Sequence, residues 1–193
     1  MSIVLVAIGT ALAIPSYQDQ VEKRQLTNGA EQLAAFVNSV QGQAMRSNEQ
    51  VTISYSFTDS NNWCFGAIEG TDACDCTVSG ADDEGFCAID SAAFRMDHDI
   101  APGRGLISQV TGDGAFTIDP VRGILDDTVE VSLQSRTAEF RLNLNINNSG
   151  RITLCSNGAD YSVPGYELCP VEVTEFPVID DPVEGYPIVE VGS

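Results

Sequence analysis

The residues of this chain able to do chemistry are six cysteines, one histidine and a dense run of carboxylates. The cysteines are Cys64, Cys74, Cys76, Cys87, Cys155 and Cys169. An even number, with no C-x-x-C pair among them, points to disulfides and to an exported protein. Cys155 and Cys169 stand apart from the rest and are expected to pair. Cys74 and Cys76 are too close to bridge each other without strain. That leaves Cys64 with one of them and Cys87 with the other. The competing chemistry is a four-thiolate zinc site from Cys64, Cys74, Cys76 and Cys87. Structural zinc sites use C-x2-4-C knuckles, and this spacing has none, so disulfides are the expectation.

His98 lies in Arg95-Met96-Asp97-His98-Asp99. A single histidine cannot support most catalytic constellations without partners, and it reads as a solvated loop residue. No P-loop, H-E-x-x-H, Ser–His–Asp order or paired-glycine fingerprint is present. Ser91 and Ser108 read as ordinary strand and loop residues. The segment from Asp59 to Asp99 is rich in carboxylates, with Arg95 its one base. Calcium takes carboxylate and carbonyl oxygens, and Asp72-Ala73-Cys74-Asp75 and Asp82-Asp83-Glu84 are its candidate ligands, but no EF-hand spacing matches. The expectation is a charged, solvated loop face. Neither an enzyme with a small-molecule substrate nor a bound cofactor is expected; calcium is the one ligand the loop chemistry suggests.

The net charge of −19, from 28 acids and 9 bases, argues against a nucleic-acid binder, which needs a basic face to displace counterions. It argues equally against charge-driven binding to anionic membranes. With 43% apolar residues the chain is globular, and its length suits one domain with a helical extension.

These residues need elements to position them. The chain opens with an uncharged run, residues 1–14, containing Ile3, Val4, Leu5, Val6, Ala7, Ile8, Gly9, Ala11, Leu12, Ala13 and Ile14, and ending at Pro15. Fourteen helical residues span about 21 Å, less than a hydrocarbon core of roughly 30 Å. The run could be the apolar part of a signal peptide cut after Ala13, or part of a transmembrane helix whose first turns are missing. The following residues favour the second. Leu26, Ala30, Leu33, Val37, Val40 and Ala44 are spaced alternately by four and three, one apolar stripe of an amphipathic helix over 15–48. Ala34 and Phe36 widen it. Pro15 should remove one hydrogen bond near the junction and kink the helix.

From Val51 the period changes to two. Strands are expected at 51–57, 62–68, 86–90, 106–110, 114–119, 128–133, 138–146 and 150–156, the last two as a hairpin. Residues 69–85 read as a stapled loop. The expected fold is α+β: a long N-terminal helix, apolar then amphipathic, packed on antiparallel sheets formed by residues 49–170. Residues 171–193 are acidic and proline-containing and read as an extended tail.

Together these features resemble the type IV pilin-like proteins, most closely the GspH/FimT family of pseudopilins and minor pilins. The apolar run ending in AIPSY (13–17) and the sequence QVEKRQLTNGAEQLAAFVNSVQGQAMRSNEQVTISY (20–55) carry the likeness. FTIDPVRGIL (116–125) resembles the family's Phe-x-Pro-x-Gly turn, and NNSGRITLCS (147–156) its late Gly-Arg strand. The resemblance implies a structural subunit of a type IV pilus or type II secretion pseudopilus. It implies anchoring in the inner membrane, with the sheet domain in the periplasm, followed by assembly with other pilin-type subunits through the N-terminal helix. Small residues such as Gly9, Thr10, Ala11 and Ala13 would let such helices approach closely. The family's basic leader, cleavage glycine, methylated first residue and following glutamate do not occur before Ile3, so the chain is expected to be an N-terminally truncated form. Some relatives bind DNA through the Gly-Arg strand. Here Arg151 lacks a neighbouring arginine, Glu139 separates Arg136 from Arg141, and phosphate binding needs several cations together. Arg151 is expected to pair with a local acid. A DNA-uptake pilin and a secreted, disulfide-stapled binding domain are the alternatives.

Overall fold

The computed structural model describes residues 2–98 and 106–170, with side chains described from residue 17 onward. Helix α1 runs from Ser2 to Ser47, 46 residues without a break at Pro15, and is therefore about 69 Å long. From residue 16 its sequence is dominated by Gln, Glu, Ala, Leu and other straight-chain helix formers. It stops where Asn48 enters the left-handed region at φ 56°, a conformation Asn tolerates at a helix end. Arg46 sits in the last turn, where a cation suits the helix dipole.

The expected stripe is the buried one. Leu26, Ala30, Leu33, Val37, Val40 and Ala44 are each no more than 1% exposed. Phe36 packs beside them, its ring 5.4 Å from that of Phe94.

The strands are β1 (Val51–Asp59), β2 (Asn62–Glu69), β3 (Ala88–Ile89), β4 (Ala92–Ala93), β5 (Arg95–Asp97), β6 (Ile107–Val110), β7 (Ala115–Ile118), β8 (Val129–Gln134), β9 (Arg141–Ile146) and β10 (Ile152–Ser156). They form one sheet in the order β5-β2-β1-β7, a second in the order β10-β9-β8-β6, and the small pair β3-β4. Pairing between these strands is antiparallel. The period-two pattern places Val129, Val131 and Leu133 of β8, and Leu142, Leu144 and Ile146 of β9, in one core with Ile53, Phe65, Phe116 and the helix stripe. The fold is α+β, as expected.

Two local expectations need correction. The strand expected at 86–90 is only Ala88–Ile89. It turns at once through Asp90 and Ser91, both at positive φ, so Ser91 is a tight-turn residue. The stretch Arg95–Asp97 is strand β5, pairing with Cys64–Gly66. Three residues are too few to show periodicity, and only their partner strand makes them extended.

The packing of α1 predicts an asymmetry. Leu33→Ala should destabilise the domain by about 3 kcal/mol, whereas Asn38→Ala, on the exposed side, should change stability by roughly 0.5 kcal/mol or less. Urea denaturation with disulfides intact measures both.

Candidate functional site

The cysteines pair as Cys64–Cys76, Cys74–Cys87 and Cys155–Cys169. None is free, so no thiolate remains for zinc. The first two bridges lie against one face of β2. Gly66 permits this, because a Cβ there would collide with Cys87 Sγ. The four sulfur-bearing side chains form a small buried cluster with Ile68 packed on it. β2 is thus covered on both faces, by the main core on one and by the stapled loop on the other. Ser54 Oγ accepts from Cys74 N–H at 3.0 Å, and Arg95 donates to Val78 O at 3.0 Å while pairing with Asp97. The third bridge fastens the segment after the last strand to β10.

The acidic loop is organised by its own turns. Asp75 Oδ1 accepts from Thr77 Oγ1 at 2.6 Å and from Thr77 N–H at 2.9 Å. The Thr77 hydroxyl, then its amide, hold this carboxyl below its usual range. Among the described residues no three His, Cys, Asp or Glu side chains gather to hold a metal ion. The candidate calcium ligands Asp72, Asp75, Asp82, Asp83 and Glu84 therefore do not form such a group.

His98 is half-buried, not a fully solvated loop residue. It follows β5 and borders an open cleft of about 110 Å³ with Asn62, Trp63, Arg95 and Asp97. Pairing of β5 with β2 draws it there. Arg151 is exposed and precedes β10. No ion pair joins it to a described residue, so the expected partner acid is not seen. Arg141 stacks on Tyr161 at 4.2 Å, and Arg136 lies at the far end of the β9–β10 hairpin from Arg151. The three arginines do not make a phosphate-binding row.

The denser set of contacts joins α1 to the turns of the second sheet. Near its first packed turn, Glu22 accepts from Thr137 Oγ1 at 2.6 Å and Thr137 N–H at 3.3 Å. Lys23 Nζ lies 4.3 Å above the Phe140 ring. Midway, Tyr166 OH donates to Glu31 at 3.1 Å. Near the end, Gln41 Nε2 donates to Gly150 O at 2.8 Å. Gly150 is at φ 76° and so close to the Gly123 carbonyl that any Cβ would collide. Gly123 closes the turn in which Asp119 Oδ1 accepts from Val121 and Arg122 N–H at 2.8 and 2.9 Å. Leu125 N–H then donates to Asn148 O at 2.9 Å. The FTIDPVRGIL turn, the Gly-Arg hairpin and the end of α1 thus meet at one point. Sequence reasoning missed Gln41 and Glu22. Gln41 was readable as a polar residue set within the apolar stripe; Glu22 has no local signal, because its partner is 115 residues away.

The architecture is a long N-terminal helix packed on antiparallel sheets by its second half. The sequence matches the family model for type II transport protein GspH over residues 29–164, and the chain belongs to that family. It is therefore a structural protein of a type II transport family, and not an enzyme. Its family implies a periplasmic or filament-associated location among other pilin-type subunits. In structure it is similar to the type IV minor pilin FimU of Pseudomonas aeruginosa, with a TM-score of 0.47 and 16% identity over 75% of this chain and 96% of that one. No curated protein matches the sequence.

Two outcomes follow from the helix contacts. Gly150→Ala should destabilise the domain well beyond the ~1 kcal/mol of a simple Gly-to-Ala change, because both φ and the Gly123 contact oppose it; thermal melting reads this. The Thr137 hydroxyl bond lowers the Glu22 pKa. Its contribution is present above the ordinary glutamate range and is lost as pH falls through the lowered folded value. Glu22→Gln should melt below the parent at pH 7, and the difference should vanish in acid.

Proposed function

We propose that this chain is held in the inner membrane before assembly and then joins a type IV pilus or type II secretion pseudopilus through the N-terminal part of α1. The observation that supports this is the division of α1. Its described side-chain hydrogen bonds to the sheets begin at Glu22, and Tyr17, 69% exposed, lies just before them. Residues 2–21, about 30 Å of helix, precede that first bond. Their apolar part, Ile3 to Ile14, carries no charge. An uncharged helix can leave lipid for a shared apolar filament core without desolvating an ion, and Gly9, Ala11 and Ala13 allow close packing there.

Among the described residues no helix is long and apolar enough to cross a membrane. The side chains of the apolar run lie outside those described. The anchor is therefore inferred from the uncharged sequence and from family membership.

The test is expression in the native host with and without residues 1–14, followed by fractionation, crosslinking and mass spectrometry. The full chain should appear in membrane or filament fractions and crosslink to other pilin-type subunits. Removing 1–14 should yield a soluble domain with an unchanged β-rich circular dichroism spectrum and no such crosslinks. A full-length product recovered only as a soluble protein starting at Ile14 would replace this reading with the secreted binding domain.

A further inference from the structure

One face of α1 carries a row of polar side chains just beyond its apolar run. Gln20, Lys23, Arg24 and Thr27 fall at i, i+3, i+4 and i+7, the spacing of neighbours on a single helix face. They line an open cleft of about 320 Å³, walled on its other side by Val163 and Pro164. Beyond Thr27 the row ends at Glu31, which accepts from the Tyr166 hydroxyl at 3.1 Å.

Among the described residues no carboxylate lines this cleft. In a chain of 28 acids and 9 bases, a cleft with two adjacent bases and no acid is a local exception. Neither Lys23 nor Arg24 is in an ion pair with a described residue. Glu22, between Val21 and Lys23 in sequence, is engaged by Thr137 on another side of the helix. Lys23 Nζ lies over the Phe140 ring, a contact that leaves its charge uncancelled. The cleft therefore offers two cations and two neutral donors to an anion.

Position along the helix says which anion it would meet. At 1.5 Å per residue, Gln20 lies about 9 Å and Arg24 about 15 Å past Ile14, where the apolar run ends. The polar layer of one leaflet is roughly 5–7 Å deep. Helix side chains lean toward the N-terminus, and lysine and arginine extend their charged ends back toward the interface. Tyr17, 69% exposed, is on the same face, three residues before Gln20 and seven before Arg24. Tyrosine favours the headgroup level of a bilayer. With the apolar run in lipid, Tyr17 stands among the headgroups and the cleft opens directly above them.

We propose that this cleft binds the headgroup of an anionic phospholipid, Lys23 and Arg24 neutralising its phosphate while Gln20 and Thr27 donate to its oxygens. The site rests on the membrane-held state proposed above. A net charge of −19 gives the chain no general attraction to an anionic surface, so the preference is local and belongs to these residues.

Native mass spectrometry of the full chain in neutral detergent tests this, with phosphatidylglycerol or phosphatidylcholine of the same acyl chains as the added lipid. Adducts with both lipids are the result expected of a membrane-held helix. The cleft adds a headgroup preference: phosphatidylglycerol should bind at a concentration lower by about fivefold or more. Lys23→Gln with Arg24→Gln should remove that preference while the phosphatidylcholine adducts and the circular dichroism spectrum stay unchanged. Arg24→Gln alone, at an exposed position, should remove part of it. Equal binding of the two lipids by the unsubstituted chain would overturn the headgroup site and leave the membrane-held state standing. Adducts with neither lipid would overturn both. A preference that survives the double substitution would overturn the assignment to these residues. Glycerol 3-phosphate should give no adduct, and binding of it as tight as that of phosphatidylglycerol would overturn the proposal by making the ligand a free phosphate.

Discussion

Everything in the domain closes on the apolar stripe of α1. The stripe from Leu26 to Ala44 packs against strands of both sheets with side chains no more than 1% exposed. Without the helix, the inward faces of β8 and β9 would lose one of the surfaces that bury them. Without the sheets, the helix would be amphipathic and unpaired. Apolar burial of this kind is non-directional, so it supplies adhesion but does not by itself set the position of the helix along the sheet. The polar contacts do that. Glu22 with Thr137, Glu31 with Tyr166 and Gln41 with Gly150 hold α1 at three points along its packed half.

The disulfides extend the same logic to a chain with few bases and many acids. At a net charge of −19, self-repulsion opposes compaction, most of all in the carboxylate-rich loop after β2. Two bridges hold that loop against β2, burying sulfur where a core side chain would otherwise be needed. Their loops span sequence separations of 12 and 13, short enough to form early and long enough for each to be worth about 3 kcal/mol.

Residues quoted for the family resemblance prove to be structural hinges. Gly150, from the Gly-Arg hairpin, and Gly123, from the FTIDPVRGIL turn, touch each other and the end of α1. A motif that reads as three separate local signals is one junction in space. Its arginines are left on the surface, Arg151 unpaired with any described acid.

The sequence by itself determined the helix and its buried face, the change to period two at Val51, the hairpin at Asn147–Gly150, and the narrowing of cysteine pairings to two arrangements. Each is a local property, carried by spacing, turn residues or loop length within a few dozen residues. It also carried the family likeness, because that rests on contiguous stretches. Tertiary structure alone decided the choice of Cys64–Cys76 with Cys74–Cys87, since both arrangements have similar loop lengths and only the face of β2 selects between them. It alone made β5 from three residues with no pattern of their own, and moved His98 out of open solvent by doing so. It alone paired Glu22 with Thr137 and Gln41 with Gly150, contacts separated by 115 and 109 residues. At such distances no periodicity can bring two residues together; only the closing of the helix onto the sheets does.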